Sequence, residues 1–421
     1  MEEVAMMAIT PERVVIVGGG IASDACAAEL RQSGYEGSIE MLCGENWRPY
    51  ERPPLSKDAL YDTDSIEEQF FLHPKSWYED SAIELRLGVR VVHLDAGQNT
   101  VELSTGEKIG FDRLLLATGG AVRKLRIDGG EAPNVHYLRT KDDALSLASA
   151  LLPESNIVII GMGVIGAEVA ASARKLGCNV TAIEPEAGPM MRALGSQLSG
   201  WLADVHLDHG VQASYGVSAT RLVMEDGFVR AVECSDGTIV RCDAVCVGIG
   251  IIPETGLATE AGLTVANGIV VDRQNRTSAP LIFSAGDVAE LPAFDGAGSV
   301  RYETYQNAAE QGATAARAML GHAADNTGPC TFWTDQYDLN IQSVGQVSDD
   351  FSIVWRGSID DQNFTAFFLN GQCLVGAVSV NRAKDMAVTR KLVAAKAEVN
   401  PEDLASEAFQ LRGMLKALRK K

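Results

Sequence analysis

The sequence predicts an α/β protein: two Rossmann-like nucleotide-binding units built on parallel sheets, followed by a smaller α+β domain. Three observations carry this reading. A strand, a glycine-rich turn and a helix occur in that order twice, with first glycines at Gly18 and Gly161. Each helix is followed by a second strand leading to an acid, Glu45 in the first unit and Glu184 in the second. One glycine turn alone is weak evidence, but two, each with its helix, second strand and acid, mark a chain that binds two dinucleotides. Beyond residue 326 the pattern changes to short apolar runs joined by turn residues, as in an antiparallel sheet.

In chain order, Arg13–Val17 reads as a buried parallel strand, apolar almost throughout. Gly18, Gly19 and Gly20 follow at once, then Ala22 and Ser23, and an alanine-rich helix over Asp24–Ser33 stopped by Gly34. The first glycine permits the tight turn, and the second lets a pyrophosphate approach the helix N-terminus. The third position is Ser23 rather than Gly or Ala, a small residue able to cap the helix. Ser38–Cys43 is the second strand, and Glu45 stands where an acid accepts ribose hydroxyls. The second unit has the strand Asn156–Ile160 and a full GxGxxG, Gly161-Met162-Gly163-Val164-Ile165-Gly166. Its helix runs over Ala167–Leu176 to Gly177, and the strand Asn179–Ile183 ends at Glu184. A carboxylate there accepts a 2′-hydroxyl and repels a 2′-phosphate, with Glu186 adding to the repulsion, so NADH is expected over NADPH.

Further on, Thr277–Asp287 is a threonine, a short apolar strand and then Gly286-Asp287, which brings a carboxylate to a turn that a ligand can approach closely. Leu114–Gly119 is an apolar strand ending in Ala117-Thr118-Gly119. Either piece alone is a strand ending in a turn; together they resemble the second FAD signature and the crossover strand of two-dinucleotide flavoproteins, and that resemblance implies a flavoprotein. In the last part, Phe351–Trp355, Phe364–Leu369 and Cys373–Val380 read as strands, with Asn370-Gly371 joining the last two as a tight hairpin, and Lys384–Glu398 as a helix. The expected boundaries divide the chain into 1–119 with 251–326, 120–250 and 327–421. The resemblance of Thr277–Asp287 and Leu114–Gly119 to two-dinucleotide flavoproteins implies FAD on the first and NAD on the second, and the last looks like the interface domain of such proteins.

Composition limits the alternatives. The chain has 421 residues, enough for two or three domains, and 46% hydrophobic with 22% charged residues describes a core-forming protein. Its formal net charge of −20 repels nucleic acid and anionic membrane, so neither is an expected partner. Apolar runs such as Ala244–Pro253 are too short to span a bilayer. Met1–Thr10, with two acids and no base, reads as neither a secretory signal nor a mitochondrial presequence. The eight cysteines form no CxxC and no iron–sulfur spacing, which fits reduced thiols in the cytoplasm and removes thiol–disulfide reductases. Cys242 and Cys246 read as small buried residues. His206 and His209 share a helix face without acid or thiol company, so no metal site is expected.

Arg48-Pro-Tyr-Glu-Arg-Pro-Pro-Leu-Ser-Lys57 closely resembles the loop after the second strand in FAD-dependent NADH:ferredoxin reductases of bacterial oxygenase systems. That family includes the reductases of Rieske-type dioxygenases and the putidaredoxin and rhodocoxin reductases. Val135–Thr140, Val247-Gly-Ile-Gly250 with Pro253, Arg301–Gln311 and Phe332–Asp338 are similar to further stretches of the same family. The resemblance runs from about residue 12 to the end. It departs at Ser23, at Thr304 for the usual Ser, and at Ser284 for the usual Ala.

The resemblance implies a glutathione-reductase-like flavoprotein fold. It implies FAD held by Gly18, Gly20, Ala22, Ser23, Glu45, Arg52, Lys57, Ala117, Thr118, Gly119, Arg123, Gly286, Asp287 and Trp333. NADH would be held by Gly161, Gly163, Val164, Ile165, Gly166, Glu168, Glu184, Gly248, Ile249, Gly250 and Glu303. Lys57 and Glu168 would form the pair that positions the nicotinamide at the flavin, and no metal is implied. The implied partner is a [2Fe-2S] ferredoxin, Rieske-type or adrenodoxin-like, feeding an oxygenase of aromatic catabolism; the reductase would be a cytoplasmic monomer or homodimer. Arg382, Lys384, Arg390, Lys391 and Lys396 form a basic segment for docking such an acidic partner, or a solvated helix face. The same scaffold also carries rubredoxin, quinone and monodehydroascorbate reductases. A redox-sensing FAD- and NADH-binding protein resembling apoptosis-inducing factor is the reading of another class; no targeting segment or long C-terminal insertion favours it.

Overall fold

The structure is a computed structural model that describes residues 11–62 and 69–418. The expectation for Met1–Thr10 lies outside the described residues. The described residues gather into two compact units.

One unit holds the residues up to Glu51, those from 69 to Ala121, and Ile251–Cys330. Its centre is a parallel sheet of β1 (Arg13–Val17), β2 (Ser38–Cys43), β3 (Ile83–Leu87), β4 (Arg113–Leu116) and the Ile282–Ser284 strand. The spatial order starts at Ile282–Ser284 and runs β4, β1, β2, β3, so β1 lies in the middle. Val14, Val15 and Ile16 are fully buried, because helices or loops cover both sheet faces. Helix α1 spans Ile21–Gln32, and the Tyr305–Met319 helix packs on it so closely that a Cβ at Gly312 would stand 2.1 Å from the Ala22 carbonyl oxygen.

The other unit holds Arg52–Asp62, Val122–Gly250 and residues from Thr331 onward. Its parallel sheet is formed by β5 (Val135–Tyr137), β6 (Asn156–Ile160), β7 (Asn179–Glu184), β8 (Val211–Tyr215) and β9 (Ala244–Val247), in the order β8, β7, β6, β9, β5. Helix α2 (Val164–Lys175) crosses between β6 and β7, and α3 (Met191–Asp208) leads to β8. Helix α3 breaks at Gly195, φ 73°, where the Ser196 N–H donates to Asp349 at 2.9 Å.

The C-terminal part of this unit is a five-stranded antiparallel sheet: β10 (Thr331–Gln336), β11 (Leu339–Gly345), β12 (Ser352–Ser358), β13 (Asn363–Asn370) and β14 (Cys373–Val380). The expected hairpin is present, but its turn lies one residue further on. Asn370 is the last strand residue and pairs with Cys373, so the two turn residues are Gly371 and Gln372 rather than Asn370 and Gly371, with Gly371 at φ +63. Helix α4 spans Ala383–Ala394 and α5 Leu411–Leu418. Here the expectation of a helix to Glu398 is corrected. Lys396 turns left-handed at φ 48°, and Leu374 and Val399 N–H groups then bond across to Ala397 and Gln372 carbonyls. The segment after α4 therefore returns to the edge of β14. No helix among the described residues is long and apolar enough to cross a membrane.

Candidate functional site

In the first unit, Gly18 has φ +137, and a Cβ there would lie 2.2 Å from the Ala117 carbonyl oxygen at the end of β4. Gly20 has open space around it and is the N-cap of α1, with no side chain capping the helix. Ser23 is thus not the cap: it lies inside the first turn, fully buried, and its hydroxyl has no protein partner. An uncapped helix start beside an open glycine is a built anion cradle, since its N–H groups await an acceptor. The polar groups nearby point the same way. Gln311 accepts the Gly286 N–H at 2.8 Å while its own Nε2 is buried and unpartnered, as is Asn307 Nδ2. These features fit a bound dinucleotide.

The other residues expected at the flavin fall in two places. Glu45 accepts the Tyr50 hydroxyl at 2.5 Å, and Thr118 donates to the Glu254 carbonyl at 2.7 Å. Gly119 and Gly286 both have positive φ, and the half-buried Asp287 follows. Ser284 donates to the Leu116 carbonyl at 2.9 Å, tying the last strand to β4. Glu303, assigned to NADH, is also in this unit, paired with Arg301 at 2.6 Å. Arg52, Arg123 and Trp333 lie in the second unit: Arg52 donates to the Arg139 carbonyl, the Arg123 N–H to the Gly250 carbonyl at 2.9 Å, and Trp333 is half-buried in β10.

The second cradle is tighter. A Cβ at Gly161 would meet the Gly248 carbonyl oxygen at 2.6 Å, and one at Gly166 would meet the Gly161 carbonyl oxygen at 1.9 Å. Gly163 is the uncapped N-cap of α2 and is exposed, like Ile165 beside it, while Val164 is half-buried. Gly248 donates to Ile160 at 2.8 Å, which sets Ile249 and Gly250 just beyond β9. Glu184, buried at the end of β7, accepts the Met162 N–H at 2.5 Å and the Glu186 N–H at 2.8 Å. Its carboxylate thereby fixes the glycine turn, and each oxygen keeps a lone pair for a ligand hydroxyl.

Lys57 and Glu168, 111 residues apart, come together in the second unit with Nζ 3.3 Å from Oε1. Glu168 is only 3% exposed, and burial raises its carboxyl above the ordinary range; Lys57, Ser56 and Thr334 oppose that. Ser56 donates to Oε2 and Thr334 to Oε1, the latter at 2.7 Å. Asp335 offers Lys57 a second carboxylate at 3.6 Å. Neither Ser56 nor Thr334 has a role assigned from sequence, although the proline loop and Trp333-Thr334-Asp335, which contain them, are among the specific pieces of the resemblance.

All eight cysteines are free, and burial pushes seven of the thiols up, Cys43 and Cys246 to about 12. No disulfide joins any two of them. His206 and His209 do share a face, and both meet Tyr337, His209 by stacking at 3.7 Å. Of the basic segment, Arg382 is committed to Asp385 and, through both guanidinium nitrogens, to Glu407. It is therefore removed from the docking set, whereas Lys384, Lys391 and Lys396 are exposed.

Two glycine cradles, each followed by a strand and an acid, define an oxidoreductase that binds FAD and a nicotinamide dinucleotide. Residues 12–312 match the pyridine nucleotide-disulphide oxidoreductase family and residues 331–415 the reductase C-terminal family. The chain belongs to the pyridine nucleotide-disulphide oxidoreductase family. It is 39% identical to rhodocoxin reductase of Rhodococcus erythropolis, over 95% of this chain and 93% of that protein. It is 38% identical to the ferredoxin–NAD(+) reductase component of the p-cumate 2,3-dioxygenase system of Pseudomonas putida, over 95% and 98% of the two chains. Among solved structures, the covalent putidaredoxin reductase–putidaredoxin complex superposes with a TM-score of 0.92 at 34% identity, covering 97% of this chain and 99% of that one.

Proposed function

We propose that this protein is an NADH-dependent ferredoxin reductase that supplies single electrons to a [2Fe-2S] ferredoxin of an oxygenase system. One observation carries the reading: the chain has two dinucleotide cradles, one for the nicotinamide donor of an electron pair and one for the FAD that receives it, and the electrons then pass to an acceptor outside the chain. Bound FAD supplies the conversion, taking electrons as a hydride pair and giving them up singly. The ferredoxin, and an oxygenase acting in aromatic catabolism, are supported by the activities named for the relatives. The unpaired cysteines support a cytoplasmic setting.

The chain's own residues bind and orient. Residues 1–119 and 251–326 are assigned to FAD, 120–250 to NADH and 327–421 to the interface domain. Gly18, Gly20 and the start of α1 receive the FAD pyrophosphate, with Glu45 on the ribose and Asp287 on the ribityl chain. Gly161, Gly163 and the start of α2 receive NADH, and the preset carboxylate of Glu184 accepts its ribose hydroxyl and rejects a 2′-phosphate. Lys57, fixed by Glu168, supplies a cation that favours an electron-rich flavin. No side chain is required as a proton donor.

The test is an anaerobic titration of the purified protein, followed by visible absorption, with putidaredoxin as acceptor. An oxidised-flavin spectrum that bleaches with one equivalent of NADH, far faster than with NADPH, and then reduces the ferredoxin is the expected result. A protein that binds no FAD, or holds a reduced flavin indefinitely with acceptor present, would end this reading.

A further inference from the structure

The Glu168 carboxylate is the end of a longer line of polar side chains. Tyr337 Oη lies 2.8 Å from His206 Nδ1, and His206 Nε2 lies 3.0 Å from Gln336 Oε1. Gln336 Nε2 lies 3.1 Å from Thr334 Oγ1, which lies 2.7 Å from Glu168 Oε1. His206, Gln336, Thr334 and Glu168 are all buried. The line joins helix α3, strand β10 and helix α2 within one unit.

The direction of every bond follows from one amide. Gln336 Oε1 can only accept, so His206 carries its proton on Nε2. A neutral ring then offers Nδ1 as an acceptor, and Tyr337 donates to it. Burial keeps that ring neutral, at about 4. Gln336 Nε2, which also has the Met190 sulfur at 3.3 Å, occupies a lone pair of the Thr334 hydroxyl. The single proton of Thr334 is therefore left for Glu168. Turning the amide over would draw that proton away.

We propose that Thr334 and Gln336 are positioning residues, which keep Glu168 an acceptor-only carboxylate and thereby hold Lys57 on it. The proposal rests on Lys57 and Glu168 being the working pair of the reductase. Its consequence is specific because Lys57 has a rival partner. Asp335, next to Thr334 in β10, is 45% exposed and 3.6 Å from Lys57 Nζ. Alternation along the strand sends Thr334 inward to Glu168 and Asp335 outward. Without the Thr334 donor, Glu168 weakens as an anion and Lys57 shifts toward Asp335. The titratable groups around Glu168 are Lys57, Asp335 and Tyr61.

The test compares Thr334→Val, which removes the donor at nearly constant volume, with Thr334→Ser, which keeps it. Infrared spectra against pH, with Glu168→Gln to assign the band, read the ionisation of Glu168 without turnover. Thr334→Val should raise that midpoint by about one pH unit, tenfold in the ionisation constant, while Thr334→Ser matches the wild type. NADH-dependent flavin reduction should slow about tenfold in Thr334→Val alone. Should Thr334→Val not fold, Gln336→Met frees the Thr334 hydroxyl and should move the midpoint in the same direction. Equal midpoints in the variants and the wild type overturn the proposal. A shifted midpoint in a protein that fails to oxidise NADH would keep the positioning role and reject the reductase reading instead.

Discussion

Burial lowers the His206 imidazole to about 4, from an ordinary 6.5, and its two nitrogens are taken by Tyr337 and Gln336. The folded ring is neutral where an unfolded one is charged, and stability follows from that difference. As pH falls below about 6.5 the unfolded chain takes up a proton that the native chain refuses, so stability is lost until the native ring titrates near 4. The full span amounts to about 3 kcal/mol, and about 2 kcal/mol of it is already lost at pH 5. Chemical denaturation of the wild type and His206→Gln at pH 7 and pH 5 checks this. The wild type should lose about 2 kcal/mol more than the variant on acidification; equal losses would mean that His206 does not set the acid limit. The sequence showed that His206 and His209 share a face, but not what they face. Gln336 and Tyr337 lie some 130 residues further on, and no local pattern links them. The same holds for the partners of Glu168. Ser23 was misread for a different reason: capping is a property of backbone conformation, and the extended residue is Gly20.

The glycine turns were legible because a strand, a turn and a helix of fixed spacing leave a local signature. Their helices begin three residues earlier than propensity indicated, at Ile21 and Val164, since Gly20 and Gly163 are themselves the N-caps. The geometry separates two roles that the motif lumps together. A Cβ at Gly166 would collide with backbone, 1.9 Å from the Gly161 oxygen, whereas one at Gly163 meets nothing nearer than the Gly248 oxygen at 4.0 Å. Gly166→Ala should therefore lower the melting temperature and weaken NADH binding together. Gly163→Ala should leave the melting temperature within a degree or so, a stability change inside about 0.5 kcal/mol, yet weaken NADH at least tenfold. Calorimetry and NADH titration on each variant measure both quantities. Matching losses of stability would show that the two glycines share one structural role, and an unchanged NADH affinity in Gly163→Ala would remove the pyrophosphate from this turn.

At the scale of the whole molecule, charge is unevenly distributed. The chain carries 36 Lys and Arg against 56 Asp and Glu, but its last forty residues hold ten basic against five acidic. An acidic ferredoxin is repelled by the net charge of the chain and attracted by its basic segment, which favours productive encounter over random contact. Arg382 is spent on Asp385 and Glu407, so the attraction rests on the remaining cations of α4. Lys384 and Lys391 are exposed and two turns apart, on one side of the helix. Reversing both, Lys384→Glu with Lys391→Glu, should raise the Michaelis constant for ferredoxin several-fold at low salt and flatten its dependence on ionic strength. The effect should shrink above about 0.5 M salt, where screening falls to a few ångströms. NADH-dependent reduction of ferricyanide, a small acceptor that needs no docking face, reports whether the cofactor sites survive and should stay at the wild-type rate. If the ferredoxin constant and its salt slope both match the wild type, the basic segment is a solvated helix face, and docking must be sought elsewhere on the protein.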